Sequence, residues 1–152
     1  MVVKITDKKE KGSIAREVLE ALPDWFGIPE YVEEYIESSM ELPFWVDREE
    51  NKVRGFIVIK ETSQYAAELC VMGVKKEFHK KGIGRKLFEA MYEYAKEQKY
   101  EFLQVKTVKE GCYEDYDQTN AFYKRLGFKE FECFPLLWDE HNPCQIYIMS
   151  VR

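Results

Sequence analysis

The spacing of apolar residues along the chain predicts alternating strands and helices. Short apolar runs predict strands at residues 2–6, 44–47, 53–60, 66–74, 102–106, 129–134 and 145–151. Apolar residues three or four positions apart predict helices near residues 13–22, 29–40, 82–99 and 118–126. The polar segment 47–52 predicts a hairpin turn, and a loop containing Trp138, His141 and Pro143 is expected between the last two strands.

Residues typical of helix ends support three of these helices. We expect Ser13 to cap the first helix and Pro29 to occupy the first turn of the second. Asp117 is the expected cap of the last helix, and Gly127 fits the left-handed position just after its end.

The order of elements predicts an α/β (α+β) fold with one mixed sheet and helices packed on its faces. The strand-helix-strand unit over residues 66–106 requires a parallel pair, because the helix carries the chain back to the end of the sheet where the first strand began. The length of 152 residues, without repeats or linkers, fits a single domain spanning 1–152.

Composition narrows the class of protein. An aromatic content of 15% excludes a disordered chain. No run approaches the ~18 apolar residues of a membrane span, and the start lacks the pattern of a signal peptide, so we expect a cytoplasmic protein. We expect no metal site, since the chain has two histidines and its four cysteines form no C-x-x-C pair. These cysteines are Cys70, Cys112, Cys133 and Cys144.

A basic, glycine-containing turn joins the strand at 66–74 to the helix at 82–99. Gly82 and Gly84 lie at the helix N-terminus, where backbone N–H groups lack partners and the helix dipole favours an anion. Six cationic residues surround the glycines, although the whole chain has a net charge of −5. They are Lys75, Lys76, Lys80, Lys81, Arg85 and Lys86. This pattern favours a small polyanion such as a pyrophosphate over a nucleic-acid duplex; the alternative is a solvated basic turn.

Two motifs give the chain a resemblance to the GNAT superfamily of N-acetyltransferases, over nearly its whole length. The first is His79-Lys80-Lys81-Gly82-Ile83-Gly84, in which His79 stands where the family usually has Gln or Arg. The second, at residues 120–128, resembles the family's F-Y-x-x-x-G-F segment. Segments 22–30, 41–46 and 137–144 also resemble an uncharacterised prokaryotic GNAT subgroup, which names no substrate.

The resemblance implies a mostly antiparallel sheet of about seven strands with a splayed parallel pair, flanked by about four helices. It also implies acetyl-coenzyme A as cosubstrate, bound in the opening between the parallel strands. The residues implied for coenzyme binding are Met72, Gly73, Val74, His79, Lys80, Lys81, Gly82, Ile83, Gly84, Arg85 and Asn120. The N–H of Met72 or Gly73 is expected near the acetyl oxygen, where it would stabilise developing negative charge. Tyr123 occupies the position whose tyrosine often protonates the departing thiolate.

An acceptor amine with a pKa of about 10.4 must lose a proton before it attacks, so a base is needed. The resemblance makes Glu68 the candidate, because it lies on the strand where the family often places its base. Strict alternation would place Glu68 on the same face as Cys70 and Met72. The alternative is a glutamate at a strand edge or paired with a lysine. Cys70 is expected to be inert packing, so that transfer is direct, in a ternary complex.

The resemblance places the acceptor near the first two helices and the last strands. The aromatic residues there are Trp25, Phe26, Tyr31, Tyr35 and Trp138, and the carboxylates are Glu30, Glu33, Glu34 and Glu37. Such a set suits a cationic amine, but the same carboxylates also fit the solvated face of an amphipathic helix.

The leading hypothesis is an N-acetyltransferase acting on a primary amine of a small molecule or protein. Its alternative is a catalytically silent coenzyme A-binding regulatory module. A nucleotide-binding module is disfavoured because the chain has no G-x-x-x-x-G-K-[ST] motif. We expect no nucleic-acid or membrane partner, and a homodimer is left open.

Overall fold

In the computed structural model, which describes residues 1–152, a seven-stranded sheet carries four α-helices. The strands are β1 Val2–Ile5, β2 Phe44–Glu49, β3 Lys52–Glu61, β4 Ala66–Val74, β5 Phe102–Val108, β6 Lys129–Asp139 and β7 Asn142–Ser150. The helices are α1 Lys8–Glu20, α2 Pro29–Met40, α3 Ile83–Glu97 and α4 Glu114–Leu126. This order of elements confirms the predicted succession and fold class.

The strands lie in the order β1-β2-β3-β4-β5-β7-β6, and every neighbouring pair is antiparallel except β4 and β5. The parallel pairing of β4 with β5 covers only three residue pairs, the last of which is Glu68 with Gln104. Beyond that point the two strands diverge, which confirms the predicted splayed pair. A strand that loses its neighbour leaves backbone groups without partners, so the opening is a natural place for a ligand.

Each face of the sheet is covered by one pair of helices. Residues of α1 and α2 pack with Phe44, Phe56 and Val58 on what we call the α1/α2 face. Residues of α3 and α4 pack with Ile57 and Tyr147 on the opposite α3/α4 face. The alternation of strand side chains separates these two clusters. None of the helices is both long and apolar enough to cross a membrane.

Two helices begin earlier than the sequence pattern predicted. The cap of α1 is Asp7 rather than Ser13, and its carboxylate accepts a hydrogen bond from the N–H of Glu10 over 2.8 Å. The start was not predicted because the first turn contains lysines instead of apolar residues. One of these lysines, Lys11, packs its stem along the core and donates from Nζ to the carbonyl of Leu42. The helix pattern therefore began with a polar turn that periodicity could not detect.

The start of α4 was also misplaced. The helix begins at Glu114, and Asp117 lies within it, accepting a hydrogen bond from the N–H of Gly111 rather than capping the helix. The predicted end is confirmed, because Gly127 has φ of 110° in the left-handed conformation.

The expected loop around Trp138 is wrong, since β6 and β7 form one long hairpin. β6 continues to Asp139, whose carboxylate accepts hydrogen bonds from the N–H of His141 and the amide of Asn142. Pro135 did not end the strand, because β6 is the edge of the sheet and one of its sides needs no donors.

Candidate active site

A β-bulge in β4 decides which side chains face the cleft. Val58 pairs with Val71 and Ile59 pairs with Leu69, so Cys70 is an extra residue without a register partner. The bulge shifts the alternation by one: Cys70 packs toward the α1/α2 face, whereas Met72 packs toward the α3/α4 face. The expectation that Glu68, Cys70 and Met72 share a face is therefore wrong for Met72, because strict period-two alternation does not survive an inserted residue.

A cleft of about 1410 Å³ follows the divergence of β4 and β5. One part, the coenzyme arm, is lined by the turn before α3, the end of β4 and one side of α4. The other part, the acceptor arm, is lined by α2, the middle of β3, β4 and β5, and the β6–β7 hairpin. The two arms meet beside the bulge.

The turn before α3 presents a run of unpaired backbone donors. The N–H groups from Lys80 to Arg85 have no acceptor in the protein, and the first helical bond runs from Lys86 to the carbonyl of Gly82. Lys80, with φ of 63°, and Gly82, with φ of 79°, bend the chain so that consecutive N–H groups lie around one concave turn. This arrangement fits a pyrophosphate.

The two glycines of the motif have different roles. Gly82 has open space where a β-carbon would stand, so glycine is needed there for its positive φ. At Gly84 a β-carbon would lie 3.0 Å from Met72 Cε and 3.0 Å from Phe122 Cζ. Gly84 therefore allows α3 to pack closely against β4 and α4.

The basic residues of the turn do not act as one cluster. Lys75 pairs with Glu17, and Lys76 Nζ lies 2.6 Å from Asp24 Oδ2, so both are balanced by carboxylates. Lys80 and Arg85 line the cleft, and Arg85 also donates to the carbonyl of Arg125 at the end of α4. The positive field at the cleft thus comes from fewer side chains than the sequence implied.

His79 was expected to offer a ring or backbone N–H to a phosphate, but both groups are engaged within the protein. Its Nε2 lies 2.6 Å from the carbonyl oxygen of Val74, to which it donates. Its backbone N–H donates to the carbonyl of Lys76 over 3.1 Å. His79 therefore joins the end of β4 to the turn, and the donor run begins at Lys80.

Two of the residues implied for coenzyme binding do not line the cleft, although His79 does. Lys81 Nζ lies over the ring of Phe78, 5.7 Å from its centroid. Asn120 is fully buried: its amide donates to the carbonyls of Val108 and Tyr116, and its Oδ1 accepts from the hydroxyl of Tyr147. All of its polar side-chain atoms have partners within the protein, so a contact between Asn120 and the coenzyme would require one of these bonds to break.

The end of β4 supplies the other backbone donors of the coenzyme arm. The N–H of Lys75 donates to Arg54 on β3. Because backbone groups alternate in direction along a strand, the N–H of Gly73 also points to β3, and those of Met72 and Val74 point into the opening. Met72 is therefore the better placed of the two candidates for the acetyl oxygen.

Tyr123 lies where the arms meet, with 8% of its surface exposed. Its ring packs against Phe122, Phe128 and Tyr147, and its hydroxyl makes no hydrogen bond within the protein. Burial raises the pKa of Tyr123 well above its ordinary value, with smaller contributions from Tyr116 and Tyr35. The hydroxyl stays protonated near neutral pH, which fits a proton donor and not a base.

Glu68 lies on the floor of the acceptor arm, and its side chain is 15% exposed. Lys106 on β5 places its Nζ 3.5 Å from Glu68 Oε1. The sequence left open a catalytic glutamate or one paired with a lysine, and the structure shows the ion pair. The two roles are compatible, since the same carboxylate is accessible from the cleft.

The thiol of Cys70 lies near Glu68 but is poorly suited to act as a nucleophile. Burial, followed by the charge of Glu68, raises the pKa of the Cys70 thiol to about 12. The thiolate is the reactive form, so this position favours direct transfer over an acyl-cysteine.

Most of the carboxylates on α2 lie on a solvated helix face, which was the second of the two alternatives that the sequence left open. Of the four carboxylates on α2, only Glu34 lines the cleft. Glu33 points away and forms two hydrogen bonds with Arg16 on α1, which lower the pKa of Glu33. By contrast, all five of the predicted aromatic residues line the cleft.

A set of hydrogen bonds between the α1–α2 loop and α4, which closes one side of the cleft, was not predicted from the sequence. The indole N–H of Trp25, in the loop between α1 and α2, lies within hydrogen-bond distance of Thr119 Oγ1 and the carbonyl of Asp115 on α4. In return, the hydroxyl of Tyr116 donates to the carbonyl of Trp25 over 2.9 Å. Trp25 also packs edge-on against His79. These hydrogen bonds join residues 90 to 94 positions apart, so no local sequence pattern predicts them.

Comparison with known proteins shows the family to which a chain with this cleft belongs. Residues 41–130, which contain β4, the glycine turn and α4, match the family described as acetyltransferase (GNAT) domain. The chain belongs to the GNAT acetyltransferases. This GNAT protein is accordingly an acyltransferase that transfers acetyl groups, and the resemblance of its two motifs is confirmed.

Solved structures share the fold of this GNAT protein at low sequence identity. A GNAT-family protein from Desulfovibrio desulfuricans superposes with a TM-score of 0.86 at 17% identity, covering 100% of this chain and 99% of the other. Ard1 from Thermoplasma volcanium gives 0.79 at 20% identity, with coverages of 100% and 97%. A GNAT acetyltransferase from Elizabethkingia anophelis with acetyl-CoA bound gives 0.68 at 17% identity, covering 89% of each chain. No curated protein sequence matches this GNAT protein.

Proposed function

We propose that this GNAT protein, acting as a single domain, transfers the acetyl group of acetyl-CoA directly to a primary amine in a ternary complex. The observation that carries the proposal is the meeting of two arms at one point. A run of free N–H groups suited to a pyrophosphate lines one arm, and a buried tyrosine and a glutamate lie where the second arm joins it. Family membership supports acetyl transfer. The geometry of the cleft supports transfer from a coenzyme in one arm to an acceptor in the other.

The coenzyme arm would hold acetyl-CoA mainly through backbone groups. The N–H groups of Lys80, Gly82, Ile83, Gly84 and Arg85 face the pyrophosphate, with that of Lys81 in the same run although its side chain turns away. The free N–H groups of Met72 and Val74 donate to the acetyl oxygen and to the pantetheine carbonyls, so the coenzyme pairs with β4 as an added strand would. An N–H from Met72 near that oxygen would stabilise the negative charge that develops during attack.

Glu68 is the proposed base and Tyr123 the proposed acid. Glu68, directly or through one water, takes a proton from the acceptor ammonium, because only the neutral amine attacks. Attack by the neutral amine on the thioester carbonyl forms the C–N bond, and collapse of the tetrahedral intermediate breaks the C–S bond. Tyr123 donates its proton to the departing thiolate, and the proton that the nitrogen loses as the amide forms returns to Tyr123. The acceptor is bound and positioned by Cys70, Lys106 and the aromatic walls, none of which forms a bond to the acetyl group.

The test is thiol release from acetyl-CoA with a panel of amines, using Glu68→Gln and a matched variant, Glu132→Gln. Glu132 is a strand carboxylate on β6 outside the cleft. We expect Glu68→Gln to lower kcat/KM at least about tenfold while the Kd for coenzyme A stays unchanged, and Glu132→Gln to behave as the wild type.

Two outcomes would contradict the proposal. An unchanged kcat/KM across pH in Glu68→Gln would remove Glu68 as the base. Binding of coenzyme A without thiol release from any amine would instead indicate the silent regulatory module. Location in the cytoplasm and the homodimer stay predictions.

A further inference from the structure

Three charged residues form a row across the floor of the acceptor arm. Lys60 on β3 is the register partner of Glu68 on β4, so both side chains leave the same face of the sheet. Lys106 on β5 completes the row through its ion pair with Glu68. All three line the cleft on the α1/α2 face. Two cations therefore flank the proposed base.

The row has one positive charge in excess. Glu68 is engaged by Lys106, and no carboxylate lies within 4.0 Å of Lys60 Nζ. Two other carboxylates line this arm, but neither balances Lys60. Asp139 is occupied by the hairpin turn, where Asn142 donates to both of its oxygens, and Glu34 lies across the arm on α2. An anionic group on the acceptor would complete the row.

The walls above the row are aromatic. Tyr31 and Trp138 are 57% and 45% exposed, and Tyr35 is 37% exposed, although all three line the cleft. Aromatic surface that stays exposed inside a cleft fits an apolar or aromatic body of a ligand. The arm thus combines a cationic floor with apolar walls.

We propose that the acceptor is a small α-amino acid with a large apolar or aromatic side chain. Its carboxylate binds Lys60 and the side of the Lys106 ammonium that faces away from Glu68. Its own ammonium lies beside Glu68. Its side chain packs on Tyr31, Tyr35 and Trp138. A polyamine or aminoglycoside fits less well, since its additional cations would meet Lys60 and Lys106. The inference rests on the proposed function and names the acceptor class for that site.

The test compares three acceptors that differ only in the group beside the amine: phenylalanine, its carboxamide and phenethylamine. Each is assayed by thiol release with the wild type, Lys60→Met and a control, Lys129→Met, whose lysine lies on β6 outside the cleft. Methionine keeps the unbranched stem of lysine and removes its charge. The carboxamide has a less basic amine than phenylalanine, so a preference for phenylalanine over the carboxamide cannot come from the ionisation of the amine.

We expect phenylalanine to exceed both analogues at least about tenfold in kcat/KM, as a charge-assisted hydrogen bond would produce. Lys60→Met should reduce that preference at least about fivefold by raising KM for phenylalanine, with KM for acetyl-CoA unchanged. Lys129→Met should keep the preference of the wild type.

The possible failures are distinguishable. Equal or better turnover of the carboxamide and phenethylamine would overturn the amino-acid class alone and leave the acetyltransferase intact. An unchanged preference in Lys60→Met would overturn the role of the charged row. No thiol release with any of the three, or with spermidine, would overturn the proposed function as well.

Discussion

The two arms of the cleft are built from different parts of the chain and from different chemical groups. The coenzyme arm uses mainly backbone N–H groups, most of them in the continuous segment from Lys80 to Arg85. The acceptor arm uses side chains from α2, β3, β4, β5 and the β6–β7 hairpin. A backbone site tolerates changes of side chain as long as the turn keeps its shape. A side-chain site changes its specificity with each substitution.

The largest expected effect lies where the arms meet. Tyr123→Phe should lower kcat about 100-fold while the Kd for coenzyme A changes little, because it removes a proton donor and leaves the packing surface in place. Tyr147→Phe is the matched control, since its hydroxyl bonds to Asn120 outside the cleft. Steady-state kinetics and calorimetry measure both quantities. An equal loss of kcat and coenzyme affinity would mean that Tyr123 shapes the coenzyme arm instead.

The next effect tests whether backbone shape defines the coenzyme arm. Gly82→Ala should weaken coenzyme A binding about tenfold, because alanine disfavours the φ of 79° that aims the N–H groups. Gly82→Asn should recover most of the affinity, since asparagine tolerates the left-handed conformation better. Calorimetry with coenzyme A measures both. If alanine and asparagine bind equally well, the turn does not depend on this conformation.

A third variant separates structure from binding. Asn120→Ala should lower the free energy of unfolding by about 2 kcal/mol, because it leaves the hydroxyl of Tyr147 and the carbonyl of Val108 buried without their partner. The Kd for coenzyme A should stay within about twofold of the wild type. Urea denaturation gives the stability, with the exposed Gln64→Ala as control. A stable variant with weak coenzyme binding would return Asn120 to the coenzyme arm.

The smallest effect is expected at Cys70. Cys70→Ser should keep kcat within about threefold, because a thiol whose pKa is raised to about 12 is protonated near neutral pH and does not attack the thioester. For the same reason, a thiol-alkylating reagent at pH 8 should label the exposed Cys112 well before Cys70. Mass spectrometry follows both the labelling and the acylation. A stable acetyl group on Cys70 would contradict direct transfer.

The contrast between the arms explains how much could be predicted. The glycine turn and the segment ending at Gly127 are local, so their spacing alone indicated the start of α3 and the end of α4. The hydrogen bonds of His79 and Asn120 could not be predicted, because each side chain meets a partner brought by the fold: the carbonyl of Val74 for one and the hydroxyl of Tyr147 for the other. The alternation of β4 failed at Cys70, because a bulge depends on the neighbouring strand.

The sequence by itself determined the order of strands and helices, the parallel pair and the turn that presents backbone donors. These depend on apolar periodicity and on glycine, which act over a few residues. Only the tertiary structure decided that Lys60, Glu68 and Lys106 lie in one row, that Glu33 pairs with Arg16 on the outside, and that Trp25 fastens its loop to α4. Such contacts join residues far apart in the chain, and the register of the sheet and the packing of the helices fix them.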